Sequence, residues 1–530
     1  MVDILIKNGV IVDGTGKKSP YKGDVAIHNG KIMGLGTITD TEATQIIDAS
    51  NLFICPGFID ITNHSDTYWT LLSEPSLESM LRQGITTIVG GSCGSSLTPL
   101  IRGNEVLGSV QKWVDISTIN TNWLSTEEFL QEVSRHPIGV NFATLIGHGT
   151  LRRDVMGDKA RSASMPELHS MQRLFAEALD DGALGISFGL AFSHGQPATR
   201  EELITLAQMA ADKKRLVTIH LRDEGKDLLP AVNEAISIAR GSNARVHIVH
   251  LKSLGKHSWE TFTQALNLIR SAREEGVPIT ANVFPYTKTG SLLYALLPSW
   301  AREGGKKQII ERIKNPMEKQ NLLQGIKELT LHYDKITIAS VRETKPIIGN
   351  TIADIGTGWG MSPEETLLKI LELNNLSVTI FGDTINQEHV ELLYKEPFVV
   401  FSTDSFGLSA HSPVEIKGDL VHPRSFGATA QFLGTYIREK NLISWEEAVF
   451  KMTKAPASLL GFSDKGTIEM GKTADITLIN PEIIRDKASY ENPFMYPEGI
   501  STVIVNGVIA VKNGALTDAR AGSVLRAENA

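Results

Sequence analysis

The chain has 530 residues, a formal net charge of −8, 42% apolar and 21% charged residues, and two cysteines. Such a length exceeds what one hydrophobic core serves, so two or three domains are expected, one of them large. The acidic balance lacks the basic stripe that nucleic acid requires, no stretch reaches the roughly 18 apolar residues of a membrane span, and Cys55 and Cys93 cannot build a disulfide framework.

Residues 1 to 55 alternate short β-type runs with turn signals. Asn29-Gly30 is the strongest of these, since both central residues of a type I′ hairpin turn need positive φ. The N-terminus lacks the basic, apolar and small-residue regions of a signal peptide, so a reduced, cytoplasmic protein is expected. The middle of the chain changes rhythm and alternates apolar runs with helix-period segments. Candidate strands run from Cys55 to Ile61, Thr86 to Gly90, Phe142 to Ile146, Ala183 to Ser187, Leu216 to His220, Val246 to His250, Ile279 to Val283 and Phe398 to Ser402. Helical periodicity is clearest over Glu167 to Asp180, Glu201 to Asp212 and Trp259 to Glu275. Strands and helices alternating in this way predict an α/β fold, a (β/α)8 TIM barrel.

About 110 residues separate the last two strands, with a charged helical stretch from Lys306 to Lys327 and a β-type run from Lys335 to Ser340. This predicts an insertion at the barrel mouth, where lids belong. The last 70 residues return to β texture. The expected division is a composite β-domain of residues 1–55 and 460–530, a barrel of 56–287 and 341–459, and an insertion or lid at 288–340.

Barrel chemistry sits at the C-terminal ends of the strands. There the chain places His64 after strand one, Cys93 after strand two, His220 at the end of strand five, His250 at the end of strand six and Asp404 after strand eight. Singly, each has a structural reading: a strand-end His is usually structural and an apolar-flanked Cys, such as Cys55, is usually inert core. Five such residues at matching strand ends point to a metal site. Thiolate and imidazole are zinc's preferred ligands, and catalytic zinc takes three protein ligands plus water, a requirement that Cys93, His220 and His250 fill. Asp404 is placed to take a proton from that water and return it.

These residues lie in motifs that resemble the D-aminoacylase (N-acyl-D-amino-acid deacylase) branch of the amidohydrolase superfamily. The likeness runs through Pro56-Gly57-Phe58-Ile59-Asp60, Ser92-Cys93-Gly94, Gly147-His148-Gly149-Thr150, His220-Leu221-Arg222-Asp223-Glu224, Pro285-Tyr286, His422-Pro423-Arg424 and Gly471-Lys472-Thr473-Ala474-Asp475. The resemblance implies a zinc-dependent hydrolase of linear N-acyl amide bonds with an anionic small-molecule substrate. It implies Cys93, His220 and His250 as metal ligands, Asp404 as general base then general acid, and Lys252, Tyr286 and Arg424 as the groups that hold a substrate carboxylate.

The chain departs from the branch at three places. The His-x-His after strand one reads Thr62-Asn63-His64, which favours one zinc and leaves His64 to a second, labile ion or to a supporting hydrogen bond. Asp66 reads as a loop or helix-start residue. Phe192 stands where an aromatic hydroxyl is usual, with Ser193 and His194 beside it. The run after Arg424 lacks the usual second arginine, and the loop before it, containing His411, is long. Two alternatives stay open: a cyclic-amide hydrolase of the hydantoinase or dihydroorotase kind, and a catalytically impaired barrel serving as a binding or scaffold protein. Oligomeric state has no readable signal.

Overall fold

The computed structural model describes residues 1–39, 41–103, 119–157, 159–302, 305–329, 331–413 and 418–527. Among them, eight parallel barrel strands follow one another in chain order: Phe58–Asp60, Ile85–Gly90, Asn141–Thr144 continued by Ile146–Gly147, Gly185–Gly189, Leu216–His220, Arg245–Ile248, Ile279–Val283 and Val399–Phe401. From the second onward each pairs with its predecessor in a parallel ladder, with one register shift at Phe58/Ile59 in the first pair. The ring closes between the eighth strand and the first, where Asn63 bridges to Ser405 and the Asp60 carboxylate accepts the Thr403 amide at 2.9 Å and its hydroxyl at 2.5 Å. Ile59, Val89, Ala143, Leu184, Leu216 and Val400 fill the inside of the ring. Helices cover its outside, so the strands read as continuous apolar runs rather than alternating ones.

Helix Met165–Asp180 shows why the outer layer forms. Ser164 and Glu167 make a reciprocal capping box at its start, and Met171, Leu174, Phe175, Ala178 and Leu179 bury one face at helical spacing. Arg200–Asp212 is capped by Thr199, and Lys256–Glu274 packs against helix Leu228–Ser242 and strand Ile279–Val283.

Strands from both chain ends share a nine-stranded sheet. Phe53–Pro56 pairs antiparallel with Ile476–Ile479, opposing Cys55 to Thr477. The expected strand from Cys55 to Ile61 is therefore two strands, one in each sheet, joined at Gly57. A Cβ on Gly57 would lie 2.2 Å from the Thr86 hydroxyl, so only glycine lets the chain pass. Asn29 and Gly30 take φ of 50° and 72°, the turn their pairing predicts.

The insertion extends well past the expected 340. Strands Lys288–Leu292 and Ile336–Val341 both pair antiparallel with Val378–Asp383, and a separate apolar core runs from Leu293 to Ile380. The expected single helical stretch is two helices, Gly305–Lys314 and Pro316–Glu328, divided where Asn315 caps the second and Pro316 cannot continue the first. The C-terminal residues cross the N-terminal ends of the barrel strands. Gly522 donates to Ile138, Leu525 to Phe142 at 2.7 Å and Ala527 to Gly182, while Leu525 and Ala527 pack on the inner barrel layer. No helix among the described residues is long and apolar enough to cross a membrane.

Candidate metal centre and active site

The loop after barrel strand two carries Cys93 and is held on every side. Asp66 accepts the Gly91 amide at 2.6 Å, and the Ser187 hydroxyl accepts the Gly94 amide at 3.0 Å. Asp66 is thus a brace for this loop rather than a helix cap; the helix that follows it, Thr70–Ser73, has Trp69 at its cap position. Gly91 has φ of 72°, and a Cβ there would sit 1.9 Å from the Leu145 carbonyl oxygen. Cys93, His250 and Asp404 have positive φ of 54°, 39° and 52°. For non-glycine residues this conformation costs about 1–3 kcal/mol each, a strain that clusters where geometry serves chemistry.

Cys93, His220 and His250 converge, with one ligand atom from each lying within 4.8 Å of the others. A second trio of His64, Cys93 and Asp404 meets the same measure and shares the cysteine. Cys93 Sγ lies 3.5 Å from His250 Nε2. The donor chemistry, one thiol and two imidazoles, suits zinc. The buried Nδ1 of His220 also has no hydrogen-bond partner, an orphan that a bound cation would satisfy. Burial, only partly offset by Glu224, pushes the His220 imidazole down to about 3, so it stays neutral and able to ligate.

Asp404 is buried and engaged at both oxygens, Oδ1 lying 3.2 Å from His64 Nε2 and Oδ2 accepting from Arg424 Nη1 at 2.6 Å. Burial alone would raise its carboxyl. Arg424, His250 and His64 outweigh burial and hold it well below the usual carboxylate range. Lys252 does not point free into the mouth: its ammonium donates to Glu224 Oε1 at 2.6 Å and lies 2.8 Å from His250 Nδ1. Tyr286 is buried and donates to Asp486 Oδ2 at 2.6 Å, a partner contributed by the C-terminal part of the chain. Arg424 opens helix Arg424–Ala430, its guanidinium 4.9 Å over the Phe284 ring. Gly290 of the insertion lies against the same guanidinium; a Cβ there would be 3.5 Å from Nη2.

The departures have structural accounts. The Thr62 hydroxyl accepts from Asn282 Nδ2 at 2.7 Å, and Asn282 Oδ1 accepts the His250 amide at 2.6 Å. Thr62 therefore belongs to the scaffold beneath His250. Phe192 packs its ring 4.8 Å from that of His220, and His194 is turned to the Gly157 carbonyl at 3.1 Å. His411 is exposed; residues 414–417 of its loop lie outside the described residues. Cys55 is buried and its thiol is pushed far up by burial, which leaves it inert. Glu224, Asp486 and Asn282 had no role in the sequence reading. Glu224 was visible only as part of a motif, four residues after His220. A separate cavity of about 570 Å³, lined by Arg102, Met156, Lys159 and Gln308 among others, includes none of these groups.

The chain matches the amidohydrolase family over residues 45–329 and 398–511. It is 28% identical to the N-acyl-D-glutamate deacylase of Alcaligenes xylosoxydans xylosoxydans over 99% of this chain and 96% of that one. It is also 28% identical to the D-aminoacylase of the same organism, over 99% and 97%. Among solved structures, it is similar to the N-acyl-D-glutamate deacylase of Bordetella bronchiseptica, which was crystallised with zinc and a phosphonate mimic of the tetrahedral intermediate. The TM-score is 0.84 at 28% identity, over 99% of this chain and all of that one. With the barrel, the converging ligand trio and more than half of its length matched, this chain belongs to the amidohydrolase family.

Proposed function

We propose that this protein is a zinc-dependent hydrolase that cleaves the amide bond of N-acyl-D-amino acids. The observation that carries the reading is the convergence of Cys93, His220 and His250 beside the doubly held carboxylate of Asp404. Cys93, His220 and His250 would hold one zinc, with His64 as a weaker ligand for a second, labile ion. Bound there, zinc supplies Lewis-acid polarisation of the scissile carbonyl and acidifies the attacking water. Asp404, ionised because the Arg424 guanidinium beside it holds its pKa down, accepts the water's proton and then gives it to the departing amine. Arg424 is a planar five-donor fork, so it can serve Asp404 through Nη1 and still present donors to a substrate carboxylate. Lys252 adds positive charge to the same wall, and Tyr286 closes it.

A cyclic-amide substrate is less well supported. Barrel strand four ends in Ser187-Phe188-Gly189, with no lysine to bridge two metals, and the thiol shared by both ligand trios is Cys93. The deciding experiment assays zinc-reconstituted protein on paired D- and L-N-acyl amino acids beside a hydantoin and a cyclic imide. Turnover of the D-substrates at least a hundredfold above the others is expected. Hydrolysis of the cyclic compounds alone, or of nothing while zinc is bound, would overturn the reading.

A further inference from the structure

Glu224 stands at the junction of the metal trio and the carboxylate wall. It lies four residues after His220, is buried, and accepts from Lys252 Nζ at 2.6 Å through Oε1. The same oxygen is 2.9 Å from His250 Nδ1, and Oε2 is 3.9 Å from His220 Nε2. Lys252 Nζ is also 2.8 Å from His250 Nδ1. Two groups thus compete for one ring nitrogen. A carboxylate can only accept there, which requires the hydrogen on Nδ1 and frees Nε2, the nitrogen that faces Cys93. An ammonium can only donate there, which requires Nδ1 bare, puts the hydrogen on Nε2 and blocks it as a ligand.

We propose that Glu224 is a positioning residue that selects the metal-binding tautomer of His250 by outcompeting Lys252 for Nδ1. By accepting from Lys252 as well, Glu224 ties the ammonium assigned to the carboxylate wall to the imidazole that faces the metal. Filling the metal site and shaping the anion wall are then one event. The inference rests on the reading of Cys93, His220 and His250 as a zinc site.

The test measures zinc affinity of folded, metal-stripped protein by chelator competition, with no substrate present. Glu224→Met removes the acceptor at similar volume and leaves Lys252 as the only partner of Nδ1. Its zinc affinity is expected to fall about 10–100-fold. Lys252→Met leaves Glu224 on His250 and is expected to hold zinc as the wild type does. The double variant, Glu224→Met with Lys252→Met, frees the ring from the ammonium and is expected to regain about tenfold of the lost affinity. Histidine-selective ¹⁵N spectra of the metal-free proteins should show an Nε2-protonated ring in Glu224→Met and not in the wild type.

Should the single variant fail to fold, the double variant carries no unpaired buried charge and is itself decisive. Zinc binding within about tenfold of wild type supports the proposal; a folded double variant that does not bind zinc overturns it. Unchanged affinity in Glu224→Met, or equal losses in the single and double variants, overturns it too. Failure of the wild type to bind zinc would instead sink the metal-site reading, so the two are told apart.

Discussion

Arg424 Nη1 donates to Oδ2 of Asp404 across 2.6 Å, so the candidate base and the candidate substrate clamp are in direct contact. Both side chains are buried, and a charge left alone there costs about 3–5 kcal/mol. The pair is therefore expected to act as one unit, each partner sensitive to loss of the other.

Asp404→Asn keeps the shape and one acceptor but cannot take a proton. It should retain zinc and lose turnover by about 10²–10⁴-fold, the usual span for removing a general base. Steady-state kinetics beside metal analysis check this. Unchanged turnover would remove Asp404 from the chemistry.

Arg424→Lys keeps a charge and loses the fork. KM for an N-acyl amino acid should rise about tenfold or more, with zinc content unaltered. For the matching N-acyl amino-acid amide, which has no carboxylate, KM should hardly move. An equal change with both substrates would argue that Arg424 serves only Asp404.

Cys93→Ala should leave the fold intact and abolish tight zinc binding, since the thiolate belongs to both ligand trios. Circular dichroism and metal analysis on the same sample separate loss of metal from loss of fold. A fully zinc-loaded variant would exclude Cys93 as a ligand.

The acid limb of stability is expected to follow the buried histidines. His247 hydrogen-bonds to Thr280 and Asn282 through its two ring nitrogens, and burial pushes its pKa from 6.5 down to about 3. Below pH 6.5 the unfolded chain takes a proton that the folded chain refuses, so stability is lost as pH falls from 6.5 toward 3. At about 1.4 kcal/mol per pH unit, this one residue removes about 2 kcal/mol by pH 5. Asp60, whose carboxyl burial pushes up to about 6, works in the opposite sense. The test compares variants rather than limbs: urea midpoints of metal-free wild type and His247→Gln at pH 7 and pH 5. The variant should lose about 2 kcal/mol less between the two. An equal loss would mean that His247 titrates normally.

The sequence was legible where chemistry coincides with a strand end. Cys93, His220, His250, His64 and Asp404 could be read because a parallel barrel turns five distant positions into neighbours once the strands are counted. Side-chain reach was not legible. Nothing in His220-Leu221-Arg222-Asp223-Glu224 says that Glu224 folds back to His250 and Lys252, and Asp66 reads as a loop or helix-start residue until the Gly91 amide is seen on it. The insertion's end was missed for a related reason. Val378–Asp383 looks like any buried apolar strand, and only its antiparallel pairing with Lys288–Leu292, some 90 residues earlier, assigns it to the insertion. Thr62 reads as a lost ligand in the sequence; the Asn282 network explains what a hydroxyl does there instead.

The sheet built from both chain ends sets a timetable for synthesis. Cys55 opposes Thr477, so its strand waits for a partner about 420 residues later, roughly 20–80 s at ribosomal rates. The floor of the barrel waits longer still, because Leu525 reaches Phe142 only after about 50 further residues. Through that interval the apolar strand Phe53–Pro56 has an open edge and the inner barrel layer an open base. The nascent chain is then most exposed to mispairing and to chaperone capture. Ribosome-bound chains halted before residue 476 should be digested by protease at both places, and folded chains that contain residues 476–527 at neither.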